Sequence, residues 1–288
     1  MVNNRFLNCR GKLVSLEKPL IMGILNVTPD SFFDGDRYSD EKSWLERTGK
    51  MLDEGADIID VGCVSTRPGA KAVDEKEEIK KVVFVLDSLA AHFPDAIISI
   101  DTYRAAVAHE AVHAGAAIIN DISGGTMDPD MYQTIAYLRV PYILMHISGT
   151  PETMQQNPVY QNVTKEIINF FAEKSSQLRH MGINDIIIDP GFGFGKTPEH
   201  NMQLLREIHL FRFLPHPLLI GISRKSMIWK TLKCTPAEAL NGTTVLHTLA
   251  CLNNAAIIRV HDVKEAQECL TLVNKIYPAS TSGDTLPA

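Results

Sequence analysis

Short apolar runs, rich in β-branched residues, recur along the chain, and stretches of helical periodicity separate them. In order they are LIMGILNV, ADIIDVG, AIISID, AAIIND, PYILMH, DIIID, PLLIGIS and AAIIRVHD. The intervening segments are amphipathic. In DEKEEIKKVVFVLDSLAAHF, for example, Ile79, Val82, Val83, Leu86 and Leu89 fall on one helix face. Strands that are apolar throughout have to be covered on both faces, and helices between them make the pairing parallel. About eight such βα units in a chain of 288 residues predict one closed (β/α)8 TIM barrel rather than a doubly wound sheet. The barrel is expected over residues 19–276, with residues 1–18 as a segment packed against it. The tail 277–288, YPASTSGDTLPA, is polar, lacks apolar periodicity and is expected to fray.

Polar residues gather at the C-terminal ends of the runs: Asn26, Asp60, Asp101, Asn120 with Asp121, His146, Asp189, Ser223, Arg259 and His261. In a barrel these ends converge on the face that carries active sites. One strand-end carboxylate is commonly a helix N-cap. A polar residue at nearly every strand end is harder to explain by capping alone. The sixth run opens into DPGFGFGKT, which looks like a phosphate-cradling loop. The P-loop pattern is met at Gly195, Lys196 and Thr197, but its first glycine position is Pro190. The dinucleotide pattern fails as well, because its last glycine position is Lys196. A nucleotide is therefore not the expected ligand, and Lys196 reads as a solvated loop charge.

Composition narrows the function classes. Hydrophobic residues make up 45% and charged residues 22%, which describes a globular chain able to bury a large core. A net charge of -6 argues against nucleic acid as partner, while leaving room for an anionic small molecule held by a few local cations. The longest apolar runs are strand-sized, too short for a membrane span, and MVNNRFLNCRGK lacks the apolar core of a signal peptide. The five cysteines form no CxxC and no Cys/His cluster, so neither a disulfide framework nor a zinc site is expected, and a reducing cytoplasm suits them.

The strand ends also carry MGILNVTPDSFFDGDRY, DVGCVSTRPGA, SIDTYR, IINDISGG, DPGFGFGKT, GISRKS and IIRVHDV, in that order. This ordered set resembles the dihydropteroate synthase family over residues 20–275. The resemblance implies condensation of 6-hydroxymethyl-7,8-dihydropterin pyrophosphate with para-aminobenzoate, with sulfonamides as inhibitors. It implies a pterin pocket of Asp101, Asn120, Met145, Asp189, Phe194, Lys225 and Arg259, with Lys225, Arg259 and Asp101 as the catalytic set. Asn26, Thr66, Arg67, Arg259 and His261 would hold the pyrophosphate, with Mg2+ contacted by Asn26. Phe33, Thr66, Arg67, Pro68, Ser223 and Lys225 would hold para-aminobenzoate, and the first two βα loops would act as mobile lids. Family habit further implies a homodimer through late barrel helices.

These residue types suit that chemistry. A pterin edge is rich in N–H donors, and a carboxylate gives charge-assisted bonds to it. An arginine stacks on a ring as lysine does not. One departure stands out: Cys63 and Val64 precede STRPG where the family commonly has Gly-Glu. A methyltransferase barrel that passes the methyl group of methyltetrahydrofolate to a cobalamin would share the pterin residues, but would need neither the anion site nor the STRPG lid. A non-enzymatic pterin-binding paralogue would be expected to lose Lys225, Arg259 or Asn26, and all three are present. A sulfonamide-insensitive synthase with altered loops stays open.

Overall fold

The computed structural model describes residues 6–27, 37–64, 73–156 and 158–277, with 37–40 described by backbone only. Phe33, Thr66, Arg67, Pro68 and the tail beyond residue 277 lie outside these residues.

All eight expected runs form strands. After a short hairpin, β1 (Phe6–Cys9) and β2 (Lys12–Ser15), come β3 (Leu20–Asn26), β4 (Ile58–Gly62), β5 (Ile97–Asp101), β6 (Ile118–Asp121), β7 (Tyr142–Met145), β8 (Ile186–Asp189), β9 (Leu219–Ile220) and β10 (Ile257–Val260). Strands β3 to β8 pair in parallel in chain order, and β10 pairs with both β9 and β3, through Ile257↔Leu219 and Ile257↔Leu20. A single parallel bridge, Ile188↔Leu218, joins β8 to the start of β9 and closes the ring. Helices α1 (Arg37–Asp53), α2 (Glu75–His92), α3 (Ala105–His113), α4 (Met131–Leu138), α5 (Val163–His180), α6 (Pro198–Arg206), α7 (Ser226–Leu232), α8 (Leu240–Leu252) and α9 (Val263–Ile276) lie between and after the strands. The chain is a (β/α)8 TIM barrel.

The period-2 geometry of a strand divides each apolar run between two cores. Ile21, Leu25, Ile59, Val61, Ile98, Ile100, Ile119, Leu144, Ile188, Ile220, Ile258 and Val260 pack outward in the layer between strands and helices. Met22, Ile58, Ile97, Ile118, Ile143, Ile187, Leu219 and Ile257 belong to a second cluster, which fills the lower barrel interior. Two residues further up stand Asp60, Ser99, Asn120, Asp189 and Arg259 on β4, β5, β6, β8 and β10, so an apolar floor supports a largely polar mouth.

The β1–β2 hairpin was not among the expected strands. Its loop residues Arg10 and Gly11 both have positive φ, 54° and 88°, the conformation of a tight two-residue hairpin turn. Asn8 Oδ1 accepts from Gly11 N at 2.7 Å and steadies it. Leu7 and Cys9 join the lower interior cluster, so the hairpin stoppers the barrel at the end opposite the polar mouth. In α2 the buried stripe is Glu78, Val82, Val85, Leu86 and Leu89, with Ile79 and Val83 half-buried beside it.

Candidate active site

Arg259, from β10, is held between two carboxylates of neighbouring strands. Its Nε donates to Asp60 Oδ2 at 2.6 Å and its Nη2 to Asp101 Oδ2 at 3.2 Å. Asn120 Nδ2 donates to the same Asp60 oxygen at 3.0 Å, which leaves the Asn120 carbonyl oxygen as the group to accept from a ligand. Asp60 is therefore the keystone beneath the site: it is fully buried and fixes both a guanidinium plane and an amide orientation. Burial raises the Asp101 carboxyl above the ordinary range, against the opposing pull of Arg259. Asp189 stands close by. A Cβ built on Gly221 would lie 3.9 Å from both Asp189 Oδ2 and Arg259 Cβ, at ordinary contact distance, so this strand position sits between the two side chains. The Asp189 carboxyl is likewise raised by burial, with Lys225 as the main opposing charge. Met145 and Phe194 share a small apolar cluster with Ile122, Ile147, Met154 and Tyr103, next to these charges.

The glycine loop after β8 presents the opposite polarity to a phosphate-binding loop. Such a loop aims N–H groups at its ligand, whereas here the carbonyls converge on cations. Lys196 Nζ donates to Gly191 O and Phe194 O, each at 2.9 Å, and to His146 O at 3.3 Å. Lys225 Nζ donates to Phe192 O and lies 4.4 Å from the centre of the Phe194 ring. Gln155 holds Gly193 O at 2.8 Å, and Tyr160 holds Gly195 O at 2.9 Å. Gly191, at φ 68°, is obligatory, because a Cβ there would stand 2.0 Å from His146 O. The expectation of a solvated Lys196 is thus overturned: the side chain is 3% exposed, and burial lowers its pKa to about 7. Burial lowers Lys225 as well, to about 8.

At the ends of β9 and β10, Arg224 makes a forked pair with Asp262, at 2.8 and 2.9 Å, and locks the two strand ends together. Ser223 Oγ accepts from His261 N at 3.2 Å and lies 3.1 Å from His261 Nδ1. With one lone pair taken, Oγ can still either accept from Nδ1 or give it its proton, and the second arrangement places the imidazole N–H on Nε2. Burial and the Arg259 charge push His261 down to about 4, so it is a neutral donor at pH 7. Asn26 is exposed at the end of β3, and the absence of a side chain at Gly62 leaves room for its amide, since a Cβ there would be 3.2 Å from Asn26 Oδ1. Among the described residues no group of three His, Cys, Asp or Glu side chains could enclose a metal. This donor set fits a magnesium ion that is held mainly by substrate phosphates with one protein oxygen, and not one caged by the protein.

Not every strand-end polar residue faces the site. Asp121 Oδ2 accepts from Tyr142 OH at 2.6 Å, and its other oxygen from Ser123, so it organises the turn after β6. His146 is engaged by Lys196 at 3.1 Å. Asp60 lies under the site, as described. Lys81 of α2 was missed by sequence reasoning: its ammonium donates to Val27 O at 2.7 Å and Cys63 O at 3.1 Å. It thereby ties together the roots of the first two βα loops, a role invisible in a solvent-facing helical pattern. The Cys63 thiol is buried and raised to about 12, hence un-ionised and inert.

Buried acceptors, a carboxylate-held guanidinium and two burial-lowered lysines at the strand ends of a TIM barrel describe an enzyme that binds a flat, donor-edged, anionic substrate. The pattern of pterin binding enzymes matches residues 22–261. The dihydropteroate synthase of Escherichia coli K12 is 41% identical over 272 residues, covering 94% of this chain and 96% of that one. A Yersinia pestis dihydropteroate synthase, solved as a sulfonamide drug complex, superposes with a TM-score of 0.87 at 41% identity, covering 96% of this chain and 100% of the other. The Xanthomonas albilineans dihydropteroate synthase with 4-aminobenzoic acid also gives a TM-score of 0.87, at 37% identity, covering 95% and 98% of the two chains. The chain belongs to the pterin binding enzyme family and, within it, to the dihydropteroate synthases, and is a transferase.

Proposed function

We propose that the chain joins the methylene carbon of 6-hydroxymethyl-7,8-dihydropterin pyrophosphate to the amino nitrogen of para-aminobenzoate, giving 7,8-dihydropteroate and pyrophosphate, with the residue roles that follow. The observation that carries these roles is the clamping of Arg259 between Asp60 and Asp101 beside the Asp189 and Lys225 pair. Asp189 and the Asn120 carbonyl accept from the donor edge of the pterin, Asp101 lies beneath the ring, and Lys225 donates to the pterin carbonyl and ring nitrogen. The guanidinium of Arg259, immobilised at two nitrogens, offers a flat face for stacking. Met145 and Phe194 give the ring its apolar wall.

Departure of the pyrophosphate takes the C–O electron pair and leaves a cation at the methylene carbon, which the electron-rich dihydropterin stabilises. The arylamine lone pair attacks that carbon, and the nitrogen then loses its proton. No strong general base is needed. Charge growing on the leaving oxygens meets Arg259 and the Nε2–H of His261, preorganised donors of the electrostatic kind. Bound magnesium would neutralise further leaving-group charge, with Asn26 as its protein contact. Thr66 and Arg67 complete the anion site in this proposal. They also flank para-aminobenzoate, together with Phe33, Pro68, Ser223 and Lys225. The five free cysteines suit a reducing cytoplasm.

A sulfonamide carries the same arylamine and occupies the same subsite, so it competes with para-aminobenzoate. Steady-state inhibition at several aminobenzoate concentrations checks this. The expected result is a raised apparent KM for aminobenzoate at unchanged kcat. An uninhibited rate at high drug excess, with normal aminobenzoate saturation, refutes the shared subsite and points to the loop that follows Cys63 and Val64.

A further inference from the structure

We propose that Lys196 is a positioning residue for the pterin pocket, its ammonium fixing the glycine loop that presents Phe194 and anchors Lys225; this rests on the pterin reading of the site. Lys196 is buried, and its Nζ faces four acceptors, namely the carbonyls of His146, Gly191 and Phe194 and the Nδ1 of His146. Three N–H bonds serve four acceptors, so at least one contact is shared. His146 accepts at Nδ1 and is thus neutral, in keeping with a pKa that burial and the Lys196 charge lower to about 3. Two of the carbonyls belong to the loop after β8 and one to the end of β7, so the ammonium stitches the two strand ends together.

The remaining ties act on the same few residues. Asn201 of α6 accepts from Gly193 N at 2.8 Å, and its amide donates to Lys196 O at 3.2 Å and Thr197 O at 2.7 Å. Thr197 caps α6, with His200 completing the reciprocal box, so the loop runs directly into a fixed helix start. At Gly195 a Cβ would meet Ser148 O at 2.5 Å, so the loop backbone lies tight against the segment after β7. Without the cation, three carbonyl dipoles point at one another in a space closed to water. The loop then has to open to hydrate them. Opening moves the Phe194 ring off the pocket wall and withdraws Phe192 O from Lys225. Lys196 itself lies one step behind the residues assigned to the pterin, which makes it a positioning residue.

The test is calorimetric titration of the full chain and its Lys196→Met and Lys196→Gln variants with 6-hydroxymethyl-7,8-dihydropterin pyrophosphate and magnesium. Thermal melting and the KM for para-aminobenzoate are measured on the same preparations. The expected result is a pterin Kd raised at least about tenfold in Lys196→Met and by less in Lys196→Gln, with the aminobenzoate KM rising too because Lys225 serves both subsites. A purely structural role lowers the melting temperature and the active fraction but leaves the Kd of folded protein unchanged. Unchanged pterin Kd in either folded variant overturns the proposal, as does failure of both variants to fold. Absence of pterin binding by the unaltered chain overturns the pterin reading along with it, whereas normal binding by chain and variants alike overturns only the role of Lys196.

Discussion

Lys225 carries a charge that burial has made conditional. Its pKa falls from the ordinary lysine value to about 8, because desolvation of the ammonium outweighs the attraction of Asp189. The protonated form is the one that donates to a pterin carbonyl. As pH rises through about 8 the ammonium is lost, and kcat/KM for the pterin substrate, which reports the free enzyme, falls with it, adding to the decline that loss of the Lys196 proton starts near pH 7. An unperturbed lysine would hold the rate up to about pH 10. A pH profile of kcat/KM that stays flat to pH 10 contradicts this role of Lys225. At this scale the candidate residues were legible, because Asp101, Asn120, Asp189 and Arg259 stand at the C-terminal ends of apolar runs, where polar residues recur too regularly for helix capping alone. Lys196 was misread for a physical reason. A lysine after three glycines looks exposed, and its burial depends on carbonyls that the fold brings together from residues 146, 191 and 194. The neutrality of His261 was hidden in the same way, since it follows from burial and from the Arg259 charge that the fold brings beside it.

Among the elements, the eight barrel strands were readable because both faces of each are buried and the runs are therefore continuous. The sequence could not say which residues of a continuous run face inward; closure into a ring decides that. The hairpin escaped notice because its strands are four residues each, with a burial pattern in β2 that is exposed or half-exposed throughout. Its contribution comes through Leu7 and Cys9, which reach the barrel floor, with Val14 of β2 half-buried against them. Leu7 is fully buried, so Leu7→Ala is expected to cost about 2–5 kcal/mol of stability through lost burial and the cavity left behind. Because the floor lies at the opposite end from the mouth, pterin affinity of the folded variant should not change. Denaturant unfolding combined with calorimetry checks both halves, and a stability loss below about 1 kcal/mol would mean that the hairpin is a loose appendage.

Taken whole, the molecule has a net charge of -6, and at the mouth Arg259 and Lys225 stand among the carboxylates of Asp60, Asp101 and Asp189, so an anionic substrate is held by directed contacts rather than by net charge. No helix among the described residues is long and apolar enough to cross a membrane. On the outer surface, a groove of about 720 Å³ runs between α8 and α9, and Leu272 and Ile276 beside it are 65% and 66% exposed. An apolar face of this kind is what the homodimer implied by the family resemblance would cover, with α8 and α9 as the late helices at its interface. Sedimentation is expected to give a dimer that Leu272→Glu splits into monomers; a monomer at every concentration contradicts it. The central claim, condensation at this site, has a more direct test. Purified, folded protein is incubated with 6-hydroxymethyl-7,8-dihydropterin pyrophosphate, para-aminobenzoate and magnesium, and the products are separated by chromatography. Dihydropteroate and pyrophosphate appearing in equal amounts, and only when both substrates are present, is the predicted result, while no dihydropteroate above background would contradict the account.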